Sequence, residues 1–108
     1  MLAHAVGGVT YDRRVAVRPI RYRVHALERM AERGISPREV RAVVETGETI
    51  EDYPDDQPYP SSLVFAIIED RPLHVVVADA GEDGLLIVTV YEPDRAQWDS
   101  TFRWRVKP

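Results

Sequence analysis

The sequence predicts an α+β domain: two N-terminal helices packed on one face of a roughly four-stranded antiparallel sheet. Three observations predict it. Apolar residues recur at helical spacing between Ala26 and Val44. After Gly47 the period changes to two. The β-rich runs that follow are separated by gaps short enough for hairpins.

In chain order, residues 1–20 hold Gly7-Gly8, Arg13-Arg14 and Pro19 without a clean period, and read as a loose arm or one edge strand. The remainder, 21–108, reads as a single domain. Ala26, Leu27, Met30 and Ala31 cover one side of a first helix that reaches Arg33, with Gly34 where a C′ glycine belongs. Ser36-Pro37-Arg38-Glu39 is a capping box with proline at N1, and it starts a second helix through Val40, Val43 and Val44 to Gly47. Thr49–Tyr53 is a short strand that ends in a loop with three prolines. Ser62–Glu69, Leu73–Asp79 and Leu85–Tyr91 form a meander. Asp94 caps a short turn through Trp98, and Thr101–Val106 alternates again, with Phe102, Trp104 and Val106 on one side. Leu63–Ile68 and His74–Ala78 are apolar on both faces. Two helices cover one face, so the other needs the C-terminal Phe102/Trp104 segment, the arm, or another chain such as a second copy.

Composition narrows the functional classes. The chain has 108 residues, no cysteine and a net charge of −4. The absence of cysteine excludes a disulfide framework and thiolate metal sites and suits a reducing compartment. No apolar run is long enough to span a membrane, and the first residues lack a cationic leader, so a cytoplasmic protein is expected. The charge is segregated: residues 1–41 carry nine arginines and four acids, whereas 42–70 carry eight acids and no base. Arginine suits phosphate, and the basic front half keeps nucleic acid open as a partner despite the acidic sum.

Candidate chemistry rests on few residues. The three histidines form no metal-ligand spacing, and no phosphate loop or cofactor motif is present, so neither metal nor cofactor is expected. The acid run from Glu51 to Asp56 lacks calcium-loop spacing and reads as a solvated turn. His25, Arg29 and Arg33 lie four apart, within about 80° of one another on a helix. They suit a phosphodiester backbone, or a solvated face with Arg29 paired to Glu32. His74 lies in an apolar strand, either as a satisfied core histidine or as a proton carrier beside Tyr91, with Arg103 and Arg105 close by in sequence. RNA cleavage without metal needs proton carriers and cations, roles that histidine, tyrosine and arginine can divide. The five-residue gap at 80–84 leaves open whether His74 shares a face with Tyr91. Trp98 and Trp104 suit core packing or base stacking.

His25-Ala-Leu-Glu-Arg29-Met-Ala-Glu-Arg33-Gly-Ile, Arg71-Pro-Leu-His74-Val-Val and Thr89-Val-Tyr91-Glu-Pro-Asp94 resemble the motifs of a bacterial domain-of-unknown-function family, from about Tyr22 to Arg105. The resemblance implies a toxin of a type II toxin–antitoxin pair, similar to RelE, MqsR and BrnT, with a RelE-like fold and an MqsA-type antitoxin as partner. It implies an endoribonuclease acting on mRNA. On that reading His25, His74 and Tyr91 are the catalytic candidates and Arg29, Arg33, Arg103 and Arg105 the RNA-phosphate ligands. The alternative is a non-enzymatic module that docks an antitoxin or self-associates through its doubly apolar sheet.

Overall fold

The computed structural model describes residues 18–106. Strand β1 (Ile20–Tyr22) leads into helices α1 (Val24–Arg33) and α2 (Pro37–Thr46), followed by strands β2 (Glu48–Tyr53), β3 (Ser61–Ile68), β4 (Arg71–Asp79) and β5 (Leu85–Tyr91). The class is the expected α+β. The sheet has five strands rather than four, in the order β1-β5-β4-β3-β2. The pairings β2–β3, β3–β4 and β4–β5 are antiparallel, but β1 lies parallel to β5, with Ile20 opposite Leu85. Three residues are too few to reveal a period of two, and their partner strand lies far along the chain.

Most of the arm expected over 1–20 lies outside the described residues; Ile20 opens the edge strand, and Arg18 and Pro19 lead into it. Arg18 Nη2 donates to Asp79 Oδ1 at 2.6 Å and to the Gly81 carbonyl at 2.9 Å. Gly84 permits this approach. Its φ is +97°, and a Cβ there would lie 2.2 Å from the Pro19 carbonyl oxygen.

The helix ends follow local chemistry. Gly34 caps α1 in the left-handed conformation, and its N–H returns to the Met30 carbonyl. The Ser36 side chain accepts from the Glu39 N–H while Glu39 accepts from the Ser36 N–H, which completes the capping box of α2. Arg71 fastens the α1–α2 turn to the sheet. It donates to the Arg33 and Gly34 carbonyls at 3.2 and 3.0 Å and to Glu39 Oε2 at 2.7 Å. Helix α1 begins at Val24, ahead of the expected Ala26, from an extended Arg23 whose side chain makes no capping hydrogen bond.

Alternation along the strands builds two layers. Val64, Leu73, Val75, Val77, Leu85, Ile87 and Val90 face the helices and pack on Ala26, Met30, Val40, Val43 and Val44. Each fully buried aliphatic side chain contributes about 1.5–3 kcal/mol. The opposite face presents Leu63, Phe65 and His74, and the chain's own C-terminus covers it with buried Trp98 and Phe102. The expected strand Thr101–Val106 is instead one arm of a small hairpin. Trp98 bridges Arg105, and Asp99 N–H donates to the Trp104 carbonyl at 2.9 Å. Phe102 takes a φ of 63°, which breaks the alternation. Trp104 is therefore thrown outward, 70% exposed, while Trp98 packs inward.

Candidate active site

Adjacent central strands put His74 and Tyr91 side by side. The β4–β5 register pairs His74 with Tyr91, and the β3–β4 register pairs it with Phe65. All three side chains therefore point away from the helices. His74 is 0% exposed. Its ring meets Trp98 edge-on at 4.5 Å, Tyr91 at 5.2 Å and Phe65 at 5.6 Å.

The hydrogen bonds assign its tautomer. Nε2 lies 2.8 Å from the Phe102 carbonyl, which can only accept, so Nε2 carries the proton. Nδ1 then offers a lone pair to the Tyr91 hydroxyl 3.3 Å away. Burial holds the imidazole below its ordinary pKa, against the opposing pull of the Phe102 carbonyl. Burial also pushes the Tyr91 phenol up.

A charged ring surrounds this pair. Glu51 on β2 faces the same side and receives Arg105 Nε at 2.9 Å and Nη2 at 3.1 Å. The Tyr53 hydroxyl also donates to Glu51. Burial raises the Glu51 carboxyl, but Arg105 and Tyr53 outweigh it and the net direction is down. Burial and the Glu51 carboxylate push Tyr53 up to about 12. The Arg105 guanidinium stacks over Trp98 at 4.6 Å, and Arg103 stacks over Phe65 at 4.9 Å while binding Glu48. The acid run is thus not simply a solvated turn. Glu48, Glu51 and Tyr53 share the site's face of β2 only because the register shifts between Thr49 and Glu51, an irregularity that strict alternation in the sequence does not reveal.

The sequence candidates fall into two groups. His74, Tyr91, Arg103 and Arg105 come together on the helix-free face. His25, Arg29 and Arg33 do not join them. They project from the exposed side of α1, whose Ala26 and Met30 pack on the opposite face of the sheet. Arg29 pairs with Glu32 at 2.9 Å, both side chains exposed.

Among the described residues no group of three His, Cys, Asp or Glu could hold a metal ion, and no helix is long and apolar enough to cross a membrane. These features define an α+β domain with a buried histidine beside a half-buried tyrosine on the helix-free face of its sheet. The chain belongs to the family described as domain of unknown function (DUF4258), whose model matches residues 22–92. That span includes His25, Arg29, Arg33, His74 and Tyr91 and stops short of the hairpin that bears Arg103 and Arg105. No curated protein and no solved structure matches the chain.

Proposed function

We propose that this protein is a metal-independent endoribonuclease of the toxin type, acting on mRNA with an MqsA-like antitoxin as its partner. One observation carries the reading: a neutral histidine, its Nε2–H committed to a carbonyl, offers Nδ1 to a tyrosine hydroxyl beside an arginine–carboxylate pair. RNA supplies its own nucleophile, the 2′-hydroxyl, so the protein has to move one proton and stabilise charge on the phosphate.

Tyr91, half-buried, meets the substrate; His74, with no surface of its own, acts behind it. The 2′-oxygen bonds to phosphorus as its proton passes to Tyr91 Oη and the phenol proton moves to His74 Nδ1. The phosphorus–O5′ bond then breaks, and the relay returns the proton to the departing 5′-oxygen. A 2′,3′-cyclic phosphate and a 5′-hydroxyl result. Arg105 keeps donors beyond the two it gives Glu51 and faces the charge on the phosphate. His25, Arg29 and Arg33 lie too far round the fold to share this step.

The test is cleavage of a defined single-stranded RNA by purified protein in the presence of a chelator. Cleavage with cyclic-phosphate ends is expected, falling about 10²-fold or more in Tyr91→Phe. Wild-type rates in that variant refute the relay.

A second reading, a non-enzymatic protein-docking module, draws on α1 itself. Val24 and Leu27 are 71% and 46% exposed there, close to Arg29 and Arg33. It predicts antitoxin binding without RNA cleavage. Self-association through the doubly apolar sheet loses its support, because Trp98 and Phe102 already cover that face.

A further inference from the structure

A cavity of about 300 Å³ opens beside the histidine–tyrosine pair, lined by Thr46, Glu48, Phe65, Ala66, Ile67 and Arg103. Its size is at the lower end for small-molecule sites. It adjoins the proposed centre through two residues. Phe65 contacts the His74 ring, and Arg103 follows Phe102, whose carbonyl holds His74. We infer that this cavity is a subsite for an unpaired guanine base, read by the Glu48 carboxylate. The inference rests on the ribonuclease reading for its physiological substrate, but the binding can be measured without cleavage.

Three features fit a flat, polar-edged ligand. Ile67 stands 58% exposed on the cavity wall, an isolated aliphatic surface against which a ring can lie. The Arg103 guanidinium is held over the Phe65 ring at 4.9 Å, and a planar guanidinium is a surface of the kind on which single-stranded bases stack. Glu48 is fixed from one side: Arg103 Nε donates to both its oxygens, at 3.0 and 3.1 Å. A carboxylate oxygen has two acceptor positions, so each keeps one for a ligand. The carboxylate is therefore aimed, charged and half satisfied.

Among the four RNA bases this favours one. Guanine presents N1–H and N2–H side by side on its Watson–Crick edge and can donate both to a carboxylate, a charge-assisted bidentate pair. Adenine and cytosine set one donor beside a lone pair that faces the carboxylate's negative charge. Uracil offers a single N–H between two carbonyls.

The experiment titrates the full chain with guanosine, adenosine, cytidine and uridine 3′-monophosphates by calorimetry. Guanosine monophosphate is expected to bind at least about tenfold more tightly than the others, one good bidentate pair being worth that much discrimination. Glu48→Gln removes the preference, since the amide offers one acceptor and sets its own NH₂ against a guanine donor. Ile67→Thr, on an exposed site that keeps β-branching, weakens all four nucleotides together. Equal affinity for the four, no binding of any, or a guanine preference that survives Glu48→Gln overturns the inference. Guanosine binding by a protein that cuts no RNA upholds the subsite and removes the ribonuclease reading. Cleavage indifferent to guanine, with no selective binding, does the reverse.

Discussion

Mild acid should destabilise this fold through His74. In the folded chain the imidazole is buried and neutral, with its pKa held below the ordinary value by desolvation. In the unfolded chain it titrates near 6.5. Above that pH neither state holds the proton, and stability is flat in this group. As pH falls below it, the unfolded chain gains a proton that the folded chain refuses. Stability is then lost at a rate approaching about 1.4 kcal/mol per pH unit, until the folded pKa is reached. The perturbation is His74→Gln, whose amide can still donate to the Phe102 carbonyl but cannot titrate. The assay is urea unfolding followed by tryptophan fluorescence from about pH 7.5 to about pH 5, with slopes rather than absolute stabilities compared. The variant is expected to start lower and to lose less; other groups cancel in the difference. Parallel stability–pH curves for wild type and variant refute the reasoning, and with it the sealed, neutral histidine on which the proton relay depends.

Two further substitutions test the packing that holds the site. Gly47→Ala should destabilise by about 2 kcal/mol or more, within the range of overpacking. The backbone there has an ordinary φ of −81°, so the cost is purely steric. A Cβ would lie 2.4 Å from the Val43 carbonyl oxygen and 2.8 Å from that of Phe65. A thermal scan showing an unchanged melting temperature contradicts it. Trp98→Ala removes the ring between Arg105 and His74 and should cost about 3–5 kcal/mol. Because it also admits water to His74, the acid-dependent loss should shrink relative to wild type; a steeper loss in the same unfolding series contradicts this.

Legibility in the sequence tracked the range of the interaction. The capping box at Ser36 and the left-handed Gly34 are set by residues within one turn, and both were readable as such. The pairing of β1 with β5 depends on Pro19 meeting Gly84, a contact with no local signal. The same holds within the site. His74 and Tyr91 were nameable, but their shared face needed the register, which shifts at a bulge between Val76 and Val77. Glu48, Glu51 and Arg103 could not be paired from sequence, because the left-handed turn at Phe102 decides which way the C-terminal arginines return. The α1 stripe was misleading for a related reason. Helical spacing correctly put His25, Arg29 and Arg33 on one exposed flank, but periodicity does not say which side of the sheet that flank occupies.

The placement of charge bears on how RNA could engage such a surface. Two acids of the run beyond residue 41, Glu48 and Glu51, are matched by Arg103 and Arg105, so the neighbourhood of His74 is internally neutralised. Arg21, Arg23, Arg33 and Arg38 form no ion pair among the described residues; all are exposed and precede the acidic run. Arg23, Arg33 and Arg38 put unpaired positive charge on the helix side, whereas Arg21, which alternates with the core-facing Ile20 and Tyr22, points to the face where His74 lies among closed pairs. Arg105 is 59% exposed although Glu51 is only 26% so, and on the ribonuclease reading an arriving phosphate competes with Glu51 for the guanidinium from the solvent side. The carboxylate displaced in that exchange remains bound by Tyr53 and is not left unpaired. On the ribonuclease reading proposed above, Glu51 thus acts as a place-holder for phosphate: it keeps Arg105 ordered over Trp98 in the free protein.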